Sequence, residues 1–250
     1  MDSLMLLEEK KNWDKISKVK DFLTFLEDPD MDVMALMKTL ADPSKSGFWI
    51  AAHVDFDFDI EKILQQEPNI RHDEVSSVTR TASEVLHHIK YNFTNGYDRF
   101  TPPADILKIA KALGFNDQPS CWINNQKPGT MLHRHIDFVS CYTYERSHDK
   151  DFLELEYDKE LRQAKGHPPI YRCFVALDDW HPGQMVNFEP DFWHHWKKGD
   201  VMFFDWQNTP HSTANCGIKD RPLLKITGTL DDDSFVKMAR DTGKIKKIKI

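Results

Sequence analysis

No run of apolar side chains in the 250 residues approaches the ~18 needed to cross a bilayer as a helix, so the sequence predicts no membrane span. The opening residues, MDSLMLLEEKKNW, are acidic and lack the apolar core of a secretion signal, which predicts a cytoplasmic protein. Asn92 in NFT matches a glycosylation pattern, read as chance in a chain without that signal. Cysteine is sparse and scattered. Cys121, Cys141, Cys173 and Cys216 form no C-x-x-C pair and are expected to be buried thiols in a reducing compartment. Positive charge is in deficit, with 33 Lys and Arg against 40 Asp and Glu and a net charge of −7. That removes the electrostatic case for wrapping nucleic acid non-specifically and leaves only a local basic groove open. Internal repeats and low-complexity tracts are also missing.

The chain is rich in core-forming residues. Hydrophobic residues make up 40% and aromatics 12%, with seven Trp and sixteen Phe, enough for one large domain or one domain with an elaborated arm. Residues 1–115 are expected to be a helical N-terminal region packed on the core. Ile16, Val19, Leu23 and Leu26, then Val33, Leu36, Met37 and Leu40, recur at helical spacing. Residues 73–89 form another amphipathic stretch. In TPPADILKIAKALGF, Thr101 reads as an N-cap and Gly114 as a stop.

From about Ser120 the pattern changes to short, aromatic, β-like runs: CWINN, TMLHRHIDF, IYRCFVALDDW, QMVNF, VMFFDW and PLLKITGTL. The turn signals KPG, HPG, KKGD, NTP and NCG separate them. Residues 116–230 are therefore expected to form an antiparallel sandwich or barrel. A charged stretch, 145–166, interrupts the strands as an insertion or lid. The tail, 231–250, ends in the alternating basic run KIKKIKI, which suits an edge strand, an arm or simply a solvated end.

Chemistry gathers in the β-rich half. His133, His135 and Asp137 are spaced by two, which on a β-strand puts all three on one face. After 73 intervening residues comes His211, and after nine more Arg221, opening a strong strand. Two imidazoles and a carboxylate on one side of a divalent iron leave three positions for a bidentate co-substrate and dioxygen. Arg221 offers a permanent planar cation suited to a carboxylate. Along a strand its Cα would lie ~6.8 Å from that of His135, so His133 is expected to support the ligands from behind or face substrate rather than bind metal. Arg172, in the apolar strand IYRCFVAL, either faces the pocket as a substrate contact or pairs with an acid outside. His194 and His195 read as an aromatic hairpin, Asp205 and Trp206 as packing for the turn that carries His211, and Asn215 as a hydrogen-bond partner of that turn. His53-x-Asp55 has no partners at the matching spacing.

This ordered set resembles the Fe(II)/2-oxoglutarate-dependent oxygenases, whose pattern is H-x-D/E, a distant H, and R or K about ten residues on. QKPGTMLHRHID, with Gly129 six residues before His135, is similar to the prolyl-4-hydroxylase-like pattern. WKKGDVMFFDWQNTPHSTANCG is similar to a segment of aspartyl/asparaginyl β-hydroxylase-like proteins. The resemblance covers about 120–230. It implies a double-stranded β-helix (jelly-roll, cupin-like) core with α elements, and a hydroxylase acting on an unactivated C–H bond. His135, Asp137 and His211 would hold Fe(II), and Arg221 would hold the far carboxylate of 2-oxoglutarate. The family's co-substrate tyrosine falls on Gln126, and dioxygen would complete the set. Two amino-acid hydroxylase groups in the resemblance favour a peptidyl or amino-acid-like substrate.

Two rivals share the architecture. A cupin would use His133-x-His135 and His211-x-x-x-Asn215, but lacks the expected glutamate and gives Arg221 no task. A non-enzymatic jelly-roll module would bind a ligand, or a structural metal, on its aromatic strands.

Overall fold

The computed structural model describes residues 47–69, 71, 97–116, 119–135, 168–188, 191–206 and 209–250. The chain runs through β1 (Phe48–Asp55), α1 (Ile60–Leu64), β2 (Asp98–Phe100), α2 (Ala104–Leu113), β3 (Ser120–Gln126) and β4 (Thr130–His135). It continues through β5 (Ile170–Ala176), β6 (Gln184–Phe188), β7 (Asp191–Trp193), β8 (Asp200–Phe204), β9 (His211–Asn215), β10 (Arg221–Thr229), α3 (Ser234–Thr242) and β11 (Lys246–Lys249). A seven-stranded sheet has the order β11-β1-β8-β5-β10-β3-β2, and a four-stranded sheet the order β4-β9-β6-β7. From β3 to β10 the chain passes back and forth between the two sheets. Those eight strands wind as a jelly roll, the double-stranded β-helix expected from the sequence.

Burial explains the strand sequences. The large sheet is covered on both faces, so β5 (IYRCFVA) and β8 (DVMFF) are almost continuously apolar. Its outer face carries Ile123, Val175, Phe203, Leu224 and Ile226 against Ile106, Ile109 and Leu113 of α2 and Phe235 and Val236 of α3. Its inner face carries Phe174, Met202 and Leu223 against Val186, Phe188 and Trp193 of the small sheet. In the small sheet, β6 and β9 alternate buried and half-buried residues, as strands with one packed face do.

Several expectations change. α2 starts at Ala104 after Pro103, not from a Thr101 cap. A residue before proline is pushed to extended backbone, and both Thr101 and Pro102 are followed by proline. The Thr101 amide instead donates to Asn69 Oδ1 at 2.7 Å. Gly114 does stop the helix, at φ 88°. The described part of residues 1–115 includes strands of the large sheet as well as helices. β1, with Ala51, Ala52 and Val54 buried, lies inside the large sheet beside β8. The tail is no solvated end: α3 is pinned by Phe235, Val236 and Ala239, and β11 pairs in parallel with β1. Cys173 is buried and Cys121 half-buried, but Cys216 is exposed. Burial pushes the Cys121 thiol up to about 12. Cys141, the helices expected at 16–40 and 73–89, and the insertion at 145–166 lie outside the described residues. Among the described residues no helix is long and apolar enough to cross a membrane.

The turn before β8 ties three strands together. The Gly199 amide donates to Ala176 O, and Gly199 O accepts from the Val54 amide, each at 2.8 Å. Gly199 has φ 93°, and a Cβ there would lie 2.3 Å from Val54 O. Strained backbone and a clash with main chain together predict that Gly199→Ala destabilises the fold by at least about 2 kcal/mol. A urea titration would show this as a lower midpoint at unchanged slope.

Candidate active site

Strand parity decides which side chains look into the space between the sheets. Leu223, Phe174 and Ala176 belong to the inter-sheet core. Residues in register with them therefore face inward: Arg221, Lys225 and Thr227 on β10, Asn124 and Gln126 on β3, and Arg172 on β5. On β9 the buried positions are His211, Thr213 and Asn215. The interior is thus apolar toward β8 and polar along β3, β9 and β10.

His135 and His211 are direct cross-strand partners of β4 and β9. Leu132 pairs with Thr213, so β4 advances three residues while β9 advances two: a bulge lies between Leu132 and His135. His133 falls within it, so simple alternation cannot be carried from His133 to His135. Asp137 lies outside the described residues, and among the described residues no three metal-binding side chains cluster.

His211 is 3% exposed, beside the rings of Phe204 at 5.0 Å and Phe188 at 5.9 Å. Its Nδ1 lies 3.1 Å from Thr209 O. A carbonyl only accepts, so Nδ1 carries a proton and donates it, the second bond typical of a histidine that binds metal through Nε2. Thr209 is held in turn, its amide donating to Asp205 O and its hydroxyl accepting from the Gly47 amide.

Arg221 is 2% exposed. Its Nη1 donates to Met185 O at 2.6 Å, while Nε has no partner. The neighbouring acid does not neutralise it: Asp220 Oδ2 accepts from Asn125 Nδ2 and Lys127 Nζ, each at 2.8 Å. Burial pulls the Arg221 guanidinium down to about 9, so it remains a cation at neutral pH. Gln126, its register partner, is fully buried. Gln126 Nε2 donates to Thr130 O and Thr213 O, at 3.2 and 3.5 Å, which orients Oε1 as an acceptor with no partner. Asn124, 4% exposed, has no partner at either end of its amide, and Thr213 Oγ1 has none. Burying such atoms is costly unless something else bonds to them. The cluster has the chemistry of an anion cradle with one guanidinium and several neutral hydrogen-bonding groups.

Arg172 faces inward. Its Nε donates to Thr227 Oγ1 at 2.9 Å, and its guanidinium lies 4.5 Å over the Trp206 ring. His53 pairs with Asp200 Oδ1 at 2.8 Å rather than with Asp55. His194 and His195 lie beyond the end of β7 and not on strand faces. His195 takes φ 53°, its ring is 4.0 Å from that of Trp180, and its Nδ1 contacts that of His194. Sequence reasoning missed Asn124, Thr213 and Gln184. The signal was the amide run Asn124, Asn125, Gln126 at the end of an otherwise apolar strand, all three buried.

No protein-family model matches the chain, and no curated protein matches it. Similar solved structures include the viral collagen prolyl hydroxylase of Paramecium Bursaria Chlorella virus-1, in a 2OG complex. It shows 14% identity over 58% of this chain and 83% of that chain, with TM-score 0.33. HygX from Streptomyces hygroscopicus, with nickel, 2-oxoglutarate and hygromycin B bound, shows 13% identity over 75% of this chain and 84% of that chain, with TM-score 0.35. An uncharacterized double-stranded beta-helix protein from Klebsiella pneumoniae shows 10% identity over 47% of this chain and 72% of that chain, with TM-score 0.27. These are distant likenesses that carry no function across.

Asn215 does not serve the His211 turn, as expected from the sequence, but the turn at 216–220. Its Nδ2 donates to Gln126 O and Lys219 O, at 2.8 and 2.7 Å, and its Oδ1 accepts from the Gly217 amide at 3.1 Å. Gln184 Nε2 completes the clamp by donating to Lys219 O and Asp220 O, at 3.1 and 3.0 Å. Asn215→Ala strands buried carbonyls and should cost about 2–4 kcal/mol. Thermal and urea unfolding would measure the loss.

Proposed function

We propose that the chain is an Fe(II)- and 2-oxoglutarate-dependent oxygenase that hydroxylates an unactivated C–H bond. The observation that carries this reading is a buried guanidinium with no carboxylate partner among the described residues, on the same interior as His211, whose cross-strand partner is His135. His135, His211 and Asp137 would hold the iron. Arg221 would hold the far carboxylate of 2-oxoglutarate, with Gln126, Asn124 and Thr213 around it.

The donor set fits both groups. His211 donates Nδ1–H to Thr209 O, which makes Nε2 the nitrogen that a ferrous ion would take. Arg221 Nε, Asn124 Nδ2 and Thr213 Oγ1 are buried donors without partners, suited to an oxyanion. When bound, iron and 2-oxoglutarate supply the oxidising chemistry, with dioxygen as oxidant. The chain's own part is to orient and to keep dry. Thr209 O fixes the His211 tautomer, Met185 O fixes the guanidinium, and Phe188 and Phe204 shield the histidine from water. Arg172, stacked on Trp206, is the substrate-facing cation of this reading, which with the resemblance favours a peptidyl or amino-acid-like substrate bearing an acidic group.

The cupin alternative is weaker. Asn215 would have to bind metal, yet both ends of its amide are taken by the turn at 216–220 and by β3. A non-enzymatic module that binds an anion would use the same buried cation, and iron-dependent formation of succinate from 2-oxoglutarate separates it from the oxygenase.

His135→Ala or His211→Ala should abolish tight Fe(II) binding, whereas His133→Ala should keep most of it. Arg221→Ala leaves a desolvated carboxylate unpaired, a loss of roughly 2–5 kcal/mol. It should weaken 2-oxoglutarate binding by about 30-fold or more, with metal affinity unchanged. Calorimetric titration of 2-oxoglutarate into Mn(II)-loaded protein under nitrogen decides: parent-like affinity in Arg221→Ala removes the anchor and the reading with it.

A further inference from the structure

The run Lys244 to Lys249 puts four lysines into six residues of a chain whose net charge is −7. The function proposed above gives this run no task. It forms β11, the outermost strand of the large sheet. β11 pairs in parallel with β1, and among the described residues no strand pairs with its other side.

The register fixes what that open side presents. The Ile250 amide donates to Asp55 O at 3.1 Å. In a strand the N–H and C=O of one residue point to the same side, and the side alternates along the chain. Ile248 and Ile250 therefore bond toward β1, while Lys247 and Lys249 turn their backbone donors and acceptors outward. The side chains alternate as well. Ile248 packs on the helix-covered face, and Lys246 lies 4.7 Å over the Phe235 ring of α3. Ile245, Lys247 and Lys249 thus stand on the opposite face. Lys237 and Arg240 of α3 are paired with Asp233 and Asp241. Lys244, Lys247 and Lys249 have no acidic partner among the described residues. All four lysines are exposed, and so are Ile245 and Ile250 at either end.

Lysine on a sheet edge commonly keeps other strands away. Such a guard repels neutral and basic strands. For an acidic strand the same row is attractive. Each carboxylate opposite a lysine makes a cross-strand pair, and the outward amides and carbonyls of Lys247 and Lys249 gain ladder bonds. A second copy of β11 is a poor occupant, because it brings the same lysines to the edge.

We propose that β11 is a docking strand for an acidic, extended segment of a partner protein. The segment adds to the open edge of the seven-stranded sheet. It sets carboxylates opposite Lys246, Lys247 and Lys249 and apolar side chains opposite the isoleucines. The proposal does not depend on the oxygenase reading.

The test uses the full chain and the fluorescence anisotropy of a labelled peptide, acetyl-Val-Glu-Glu-Val-Glu-Val-amide, and of its reversed sequence, at low salt. One direction should bind with a Kd of about 0.1 mM or tighter. Lys247→Glu with Lys249→Glu should weaken that binding by about tenfold or more. Lys247→Gln with Lys249→Gln should weaken it by about threefold or more, and serves should reversed charge disturb the edge. The peptide N-methylated throughout keeps every charge but loses its ladder donors, and should bind about tenfold or more weakly. No binding by the parent chain marks the lysines as guards and overturns the proposal. Parent-like affinity in both double variants moves the site off β11 and also overturns it. Equal binding of the N-methylated peptide reduces β11 to a patch of charge and refutes strand addition. A single-stranded oligonucleotide of equal charge bound as tightly as the peptide refutes it too, in favour of nucleic acid.

Discussion

A positive charge sealed between two sheets is costly unless polar groups or an anion meet it, and much of the polar end of this interior is arranged around the Arg221 guanidinium. Removing a guanidinium from water costs several kcal/mol even after the protein relaxes. Arg221 recovers part of that through Met185 O. The acid beside it in sequence, Asp220, is turned away to Asn125 and Lys127. The clamp of Gln184 and Asn215 fixes the backbone immediately before it. A site that needed only stability would have placed a leucine there. On the proposed reading, the buried amides around this cation keep one end of the interior ready for a ligand.

The layers divide the labour. Helices α2 and α3 pack on the outer face of the large sheet and supply apolar burial, worth about 1.5–3 kcal/mol for each large side chain fully removed from water. That leaves the inner face free to carry polar residues at one end. Phe174, Met202, Phe204 and Phe188 fill the other end, so the polar cluster meets a dry aromatic wall rather than solvent. Low local polarity strengthens each charge-assisted hydrogen bond made there.

The eight-strand core was legible because turn signals and aromatic runs repeat at strand length from Ser120 onward. The partnership of His135 with His211 was legible only as a spacing, and the fold turned it into a register. The period of two broke down at His133, because a bulge adds a residue that no pattern in TMLHRH announces. An edge strand was one reading open for KIKKIKI, but the pairing of β11 with β1 was hidden by distance: a strand at 48–55 and another at 246–249 pair across nearly the whole chain, and pairing that remote leaves no mark on local sequence. Arg172 was ambiguous, since alternation alone does not say which side of a doubly covered sheet is the pocket. Its contacts with Thr227 and Trp206 resolve it inward. Asn215 was assigned to the wrong turn, because both turns lie within five residues of it.

The turn at 216–220 carries the chain from the small sheet to the large one, and its clamp holds both sides. His211 and Arg221 are therefore two marks on one rigid ruler. Neither can shift along the interior without breaking the ladder of its own sheet. Whatever spans them is selected by its length before its chemistry is read. On the proposed reading, a diacid one carbon shorter or longer would reach one mark and miss the other, and insertions between 215 and 221 would rescale the ruler rather than merely loosen a loop.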